Sequence, residues 1–357
     1  IYYHIFPLLV NHKHFQNAGI KIKFHYRLKN SIFDCDVLII LSKPIFNLLN
    51  EKKYILDIDG PVLTFLKNAK KKVPRIIWMD TADSTSTTHF EVLPFVHKYL
   101  KKQILKDKSL YETQFYGGRI FTQFYHQNFF VDDADVYPRI ASLEEGEEKL
   151  GLSWNIGLGD MINAFSQNKK SMIYGRFFNL ISPKYDFTFF DNTIKNVDIF
   201  LKTTTDLSRD TVAFHRQKLV ETLDLICKKK NLKSVIQGAR LSNIKFRNLM
   251  IQTKIFPSPF GWGEIGVRDY EAFIYGGILL KPSVEHMETW PDVFISNETY
   301  IPFKWDFSDI EEKINLILED KNIFTSISKK GQKKYLESIS DKGMEEFIKR
   351  FKKQLED

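Results

Sequence analysis

The chain has 357 residues, 43% hydrophobic and 27% charged, with 31 Phe and 15 Tyr; this composition requires packed cores and excludes wholesale disorder. Two Cys in such a length exclude a disulfide scaffold and a cysteine-built zinc site, and the longest apolar run, Val37 to Leu41, is far too short to span a membrane. The net charge of +8 favours anionic partners: nucleotides, phosphorylated lipids, membrane surfaces or nucleic acid.

The chain opens on Ile1, which fits a trimmed start or one module of a longer protein. Its first ten residues lack the basic and long apolar stretches of a signal peptide; the two Cys suit a reducing cytoplasm, the expected location, and the basic surface and tail helix fit work at the inner face of the membrane. Asp36 to Leu41 reads as a buried strand, followed by a helix around Ile45 to Leu49. Tyr54 to Ile58 reads as a second strand, Val62 to Lys71 as a helix, and Arg75 to Met79 as a third strand running into the polar loop Asp80 to Thr88. The rhythm resumes with a strand at Val197 to Leu201 and an amphipathic helix at Thr211 to Lys229, whose stripe holds Leu219, Leu223 and Ile226. Short strands follow at Ser234 to Gln237 and Thr253 to Pro257, then a helix from Glu264 to Tyr275 and a strand at Ile278 to Lys281. From Lys329 to Asp357 the pattern is a charged helix with Phe347, Ile348, Phe351 and Leu355 as its apolar stripe. Its simplest reading is a helix packed on a domain surface; a membrane-surface helix is the alternative.

Strands alternating with helices at this spacing predict parallel sheets covered on both faces, so the fold class is α/β. The punctuation by Glu144 to Glu148, Gly151, Gly157 and Gly159 places a boundary between Glu144 and Lys170. Expected are an N-terminal Rossmann-like unit over 1–160, a C-terminal one over 161–335, and a helix over 336–357 that packs back on the first. Two such units in series hold a ligand between them, where strand carboxyl ends and helix N-termini favour phosphate.

Phe256 to Pro282 is the most informative segment: a strand, a Gly-rich turn and a helix start. Gly261 and Gly263 permit close backbone approach to a ligand, and Glu264, Arg268 and Glu271 fall on about one helix face. An arginine there meets a phosphate and a carboxylate accepts from ribose hydroxyls, which suits a nucleotide sugar. The run Ser258-Pro-Phe-Gly-Trp-Gly-Glu264, with Arg268-Asp-Tyr-Glu271-Ala272 and Lys281-Pro282, resembles the donor-binding half of GT-B-fold glycosyltransferases of the bacterial and exostosin-like branch, over Ile255 to Ile314. Trp78 to Ser84 and Val92 to Lys102 are more loosely similar to the acceptor domain of that family.

The resemblance implies transfer of a sugar from a UDP- or GDP-linked donor to a glycan or lipid-linked acceptor, as in surface polysaccharide synthesis, with no metal and no other cofactor. Basic residues and helix dipoles take the metal's place. Glu271 matches the second Glu of the E-x7-E motif of retaining families, the ribose contact, while the first would stand at 263, a Gly here, with Glu264 one residue out of register. The expected donor site is therefore Arg209, Phe260, Gly261, Gly263, Glu264, Arg268, Glu271 and Lys281; the catalytic candidates are Glu264 and, for an inverting reaction, Asp80 or Asp83 as base. His89 and His126 are weaker bases, and Lys202, Arg209, His215 and Arg216 form a basic cluster after the Val197 to Leu201 strand.

Three other readings compete. Asp34-Cys-Asp36 and Asp57-Ile-Asp59 have the metal-binding DxD spacing, and Asp57-Ile-Asp59-Gly60 also has the form of haloacid-dehalogenase-like phosphatases. A non-catalytic sugar-nucleotide-binding module of a larger transferase is the second. The lysines are scattered rather than interleaved with aromatics, so no nucleic-acid partner is expected.

Overall fold

The computed structural model describes residues 2–51, 56–57, 59–134, 143, 146–159, 161, 189, 195–237 and 241–356. The first half supplies helices α1 (Tyr2–Val10), α2 (His12–Asn17), α3 (Ser42–Leu49), α4 (Pro61–Lys70) and α5 (Ile120–Phe129). Its strands are β1 (Val37–Leu41), β2 (Arg75–Asp80), β3 (Lys98–Lys101), β4 (Gln103–Leu105) and β5 (Leu150–Leu152). Four of them form a parallel sheet in the order β1-β2-β3-β5. Its central strand β2 buries Ile76, Ile77, Trp78 and Met79, residues whose branched and aromatic side chains suit a sheet covered on both faces.

Strands β6 (Val197–Leu201), β7 (Ser234–Ile236), β8 (Thr253–Pro257), β9 (Ile278–Pro282) and β11 (Ile301–Phe303) build a second parallel sheet, while β10 (Met287–Thr289) stands apart. The order β11-β9-β8-β6-β7 reverses direction between β6 and β8. Numbered within this half, that is the doubly wound order 2-1-3-4-5, whose crevice for ligands lies outside the carboxyl ends of the strands at the reversal. Helices α6 (Asp210–Lys230), α7 (Asn243–Gln252) and α8 (Val267–Ile274) connect these strands, followed by α9 (Ile310–Glu319), α10 (Lys321–Ile339) and α11 (Asp341–Glu356).

Most expected elements are present within two residues of their sequence bounds. Three differences have physical reasons. Leu56 and Asp57 form no strand, and Tyr54, Ile55 and Ile58 lie outside the described residues. Helix α8 begins at Val267 rather than Glu264, because the Asp269 carboxylate closes its first turn on the Gly266 N–H at 2.9 Å. The tail is two helices, broken at Ser340, whose backbone is extended and whose hydroxyl accepts from the Gly343 N–H. Of the boundary segment, 144–145, 160 and 162–170 lie outside the described residues.

The two halves are joined along one side. β10 pairs antiparallel with β4, setting Thr289 opposite Gln103 and Met287 opposite Leu105. Asn155 donates to Thr289 Oγ1 and Pro291 O, and Tyr270 donates to Asn155 Oδ1 at 2.9 Å. Helix α11 adds an aromatic cluster: Phe347 packs edge-on to Phe15 and Trp154, with centroids 5.7 and 5.1 Å away, and stacks on Trp290. Its apolar stripe is thus consumed internally. Its outer side carries Lys342, Lys349, Lys352 and Lys353 beside Asp341, Glu345, Glu346 and Glu356, and Arg350 lies over the Trp290 ring. Among the described residues no helix is long and apolar enough to cross a membrane.

Phe347 is almost fully buried at the meeting point of both halves. Phe347→Ala is expected to destabilise the protein by about 3–5 kcal/mol, the usual cost of emptying such a site, read as a lowered midpoint in urea unfolding.

Candidate functional site

The carboxyl edges of the two sheets face each other. β2 runs out into Asp80 to Thr85 and β8 into Ser258 to Glu264, and these loops touch. A Cβ at Gly263 would stand 1.7 Å from the Asp83 carbonyl oxygen, so only glycine permits this approach. The next residue, Glu264, is fully buried and accepts from Ser84 Oγ (3.0 Å), Thr85 N (3.0 Å), Thr85 Oγ1 (2.7 Å) and Gln103 Nε2 (2.6 Å). The His286 Nε2 lies 3.6 Å away. Burial alone would raise this carboxyl, but the His286 imidazole and the Thr85 donors overcome it and hold the Glu264 pKa at about 2. Glu264 is a clasp between the halves. It precedes α8 instead of sharing the face of Arg268 and Glu271, and its engaged oxygens remove it from the expected catalytic and donor-binding sets.

Asp80 does not face the cleft either. It is fully buried and accepts from Tyr99 Oη (2.5 Å), Lys101 Nζ (3.3 Å), Ser42 Oγ (3.2 Å) and Ala82 N (2.8 Å), with His89 Nδ1 3.3 Å away. Burial pushes its carboxyl up, and Lys101, His89 and Tyr99 more than reverse this, holding it well below the usual carboxylate range. A carboxylate so stabilised and enclosed is a poor proton acceptor, and His89 belongs to the same network. Asp83 is half-exposed at the seam, between Lys43 Nζ (2.8 Å) and Lys102 Nζ (3.1 Å). Against the effect of burial, Lys102 and Lys43 hold its carboxyl far down as well, so its basicity is low.

Several expected donor ligands prove to be framework. Phe260 is fully buried against His215, Phe121 and Trp305, and its N–H donates to His215 Nε2 at 3.0 Å. Lys281 is enclosed with Asp269 at 3.1 Å, beside Ser258 on the same carboxylate, because an ammonium inside a sheet needs a counter-ion. Arg209 is buried at the start of α6 and donates to Gly117 O, against the first half. Gly261 remains partly exposed, beside the Arg216 guanidinium, which binds Phe260 O at 2.9 Å and Thr204 O at 2.9 Å.

Arg268 and Glu271 are the pair that lies at the topological reversal. Arg268 Nη2 donates to the carbonyl of Lys202, the first residue after β6, at 3.3 Å, and its guanidinium lies over the Phe246 and Phe200 rings. Arg268 Nε stands 3.3 Å from Glu271 Oε2. That oxygen is buried and makes no hydrogen bond, and burial raises the Glu271 pKa against the lowering effect of Arg268. A buried carboxylate oxygen that has an ion pair but no hydrogen bond among the described residues is suited to accept from a ligand hydroxyl.

Four seam residues escaped the sequence reading. Gln103 bridges Asp83 O and Glu264; Arg119 binds Trp262 O at 2.9 Å and lies over the Trp262 ring; Lys43 and Lys102 hold Asp83. Only Lys43, just past the strand expected at Asp36 to Leu41, had a signal in the sequence. Of the other candidates, Asp57 is exposed and the Asp59 side chain is 98% exposed, so neither forms the enclosed nucleophile site of a phosphatase. Asp34 is likewise exposed, and His126 is stacked on Tyr116. Among the described residues no three acidic, His or Cys side chains converge as a metal site.

No family model and no curated protein matches the chain. Solved structures do. HepE of Anabaena in complex with UDP-glucose is 11% identical, with a TM-score of 0.41 over 96% of this chain and 88% of that one. TarM of S. aureus, in complex with fondaparinux, α-GlcNAc-glycerol and UDP, is 10% identical, with a TM-score of 0.44 over 89% of this chain; the chain spans 55% of TarM. The C-terminal domain of a glycosyl transferase group 1 family protein, LpcC from Francisella tularensis, is 13% identical, with a TM-score of 0.24 over 33% of this chain and 60% of that one. The chain has the GT-B arrangement, and this rests on its own topology: two parallel α/β sheets with their carboxyl edges opposed.

Two outcomes follow from the seam. The folded Glu264 carboxyl at about 2 lies below its ordinary 4.5, so its contribution is complete above pH 4.5 and lost as pH falls toward 2. By linkage this is on the order of 3 kcal/mol, and Glu264→Gln should lack that acid-dependent part in urea unfolding between pH 5 and pH 2.5. Gly263→Ala should lower the melting temperature by several degrees, because the added methyl meets Asp83 backbone.

Proposed function

We propose that this protein transfers a sugar from a nucleotide-sugar donor to a glycan or lipid-linked acceptor of surface polysaccharide synthesis, without a metal ion. The observation that carries the reading is the Arg268–Glu271 pair at the β6/β8 reversal, with Glu271 Oε2 buried and lacking a hydrogen bond. In this reading Glu271 accepts from the donor ribose hydroxyls, and Arg268 with Arg216 neutralises the diphosphate as the leaving group departs. The acceptor approaches from the carboxyl edge of the first sheet. In this reading the acceptor proton is not assigned to Asp80, which Tyr99, Lys101 and Ser42 enclose, or to Asp83, which Lys43 and Lys102 hold, and Gly263 stands where the motif has its first Glu. Contact with a membrane through α11 forms no part of the proposal.

A thermal-shift screen against UDP, GDP, CMP and their sugar conjugates, with and without magnesium, tests the donor site, since a ligand of the folded state raises the melting temperature by mass action. One nucleotide diphosphate is expected to stabilise the protein without magnesium, with about tenfold weaker affinity in Glu271→Gln and Arg268→Ala. No shift from any nucleotide, or a shift that both variants retain, refutes the assignment. Binding with no donor hydrolysis or transfer indicates instead the non-catalytic module.

A further inference from the structure

Lys43 and Lys102 follow β1 and β3, and both reach Asp83 beyond the end of β2. The ammonium groups stand 2.8 and 3.1 Å from the two Asp83 oxygens, and the Lys102 side chain is only 3% exposed. Each ammonium has three donors and, among the described residues, one acceptor, an Asp83 oxygen; two N–H groups of Lys102 are left inside the protein, while those of the half-exposed Lys43 face solvent. Leaving the two Lys102 donors unmet inside the protein is costly. Two lysines against one aspartate also leave one positive charge in excess.

His4 of α1 is the independent observation. Its side chain is 5% exposed and its Nδ1 is buried without a hydrogen-bond partner. The Trp154 indole donates to the His4 carbonyl at 2.9 Å and the Ser153 N–H to the Lys101 carbonyl at 2.8 Å, so α1 lies against the chain that follows β3, next to Lys102; burial and the Lys102 charge hold the imidazole well below its ordinary range. A neutral imidazole here either donates or accepts. The cluster sits at the seam, since the Asp83 carbonyl lies against Gly263.

We propose that Lys43, Lys102 and His4 form a subsite for an oxyanionic group, phosphate or carboxylate, carried by the acceptor. Naming the ligand an acceptor rests on the proposed function; binding of the anion does not. Lys43 and Lys102 donate their uncommitted N–H groups to the oxyanion, and His4 Nδ1 receives a partner when the site fills. Asp83 holds the two lysines in place and, as a like charge, weakens the binding.

The test is calorimetric titration of the UDP-saturated protein with inorganic phosphate, with glucuronate and with neutral glucose. UDP occupies the donor diphosphate site, so the anion reads only the second one. One of the two anions is expected to bind and glucose is not, and which anion binds tells phosphate from carboxylate. Lys43→Ala and Lys102→Met should weaken the anion at least tenfold and Asp83→Asn should tighten it, with UDP affinity unchanged in all three. Lys43 is half-exposed, so its variant remains readable if the buried Lys102→Met fails to fold. Absence of anion binding by the wild type, equal binding by Lys43→Ala, or no tightening in Asp83→Asn overturns the proposal. If UDP itself does not bind, the donor assignment fails alone, and the same titrations without UDP still decide the subsite.

Discussion

The buried Glu264 carboxylate fixes how the two halves meet. A charge removed from water is tolerated only when its lone pairs are matched, and here the matching donors come from the other half: Ser84, Thr85 and Gln103. The clasp works at close range because Gly263 has no side chain to hold the Asp83 backbone off. Everything lining the cleft is set by this contact, including the height at which the β2 loop stands over the start of α8.

Around the clasp, charge is sorted by burial. Asp80 with Lys101, and Asp269 with Lys281, are enclosed pairs with further hydrogen bonds, and they stiffen the ends of β2, β3 and β9. Arg268 with Glu271, and Asp83 with its two lysines, keep hydrogen-bonding capacity among the described residues, and these are the groups assigned to ligands in the proposals above. Asp80, Lys101 and Lys281 of the first set lie on strands, and Asp269 reaches Lys281 from the first turn of α8.

Much of the fold was legible. The apolar runs at Val37 to Leu41, Arg75 to Asp80, Val197 to Leu201 and Thr253 to Pro257 are strands because burial on both faces demands continuous hydrophobicity, and that demand is visible in one dimension. β4 and β10 were not visible. Each has three residues, and each is a strand because the other half pairs with it. The site was legible in part: the segment from Ser258 to Glu271 was singled out, yet Glu264 and Arg268 were placed on one helix face when a capping contact from Asp269 starts the helix after Glu264.

The sequence by itself determined the alternation of strands and helices, the parallel sheets it implies, and the stretch of chain around which function gathers. Local periodicity and backbone chemistry carry that information, and they act between neighbours in the chain. Only the tertiary structure decided which charged residues are framework and which face the cleft. Asp80, Glu264 and Lys281 look as reactive in the sequence as Asp83 and Glu271 do. Their difference is the number of partners that distant segments bring to each, 161 residues away for Gln103 and Glu264. A side chain's solvation and pKa depend on that three-dimensional neighbourhood, which no local pattern encodes.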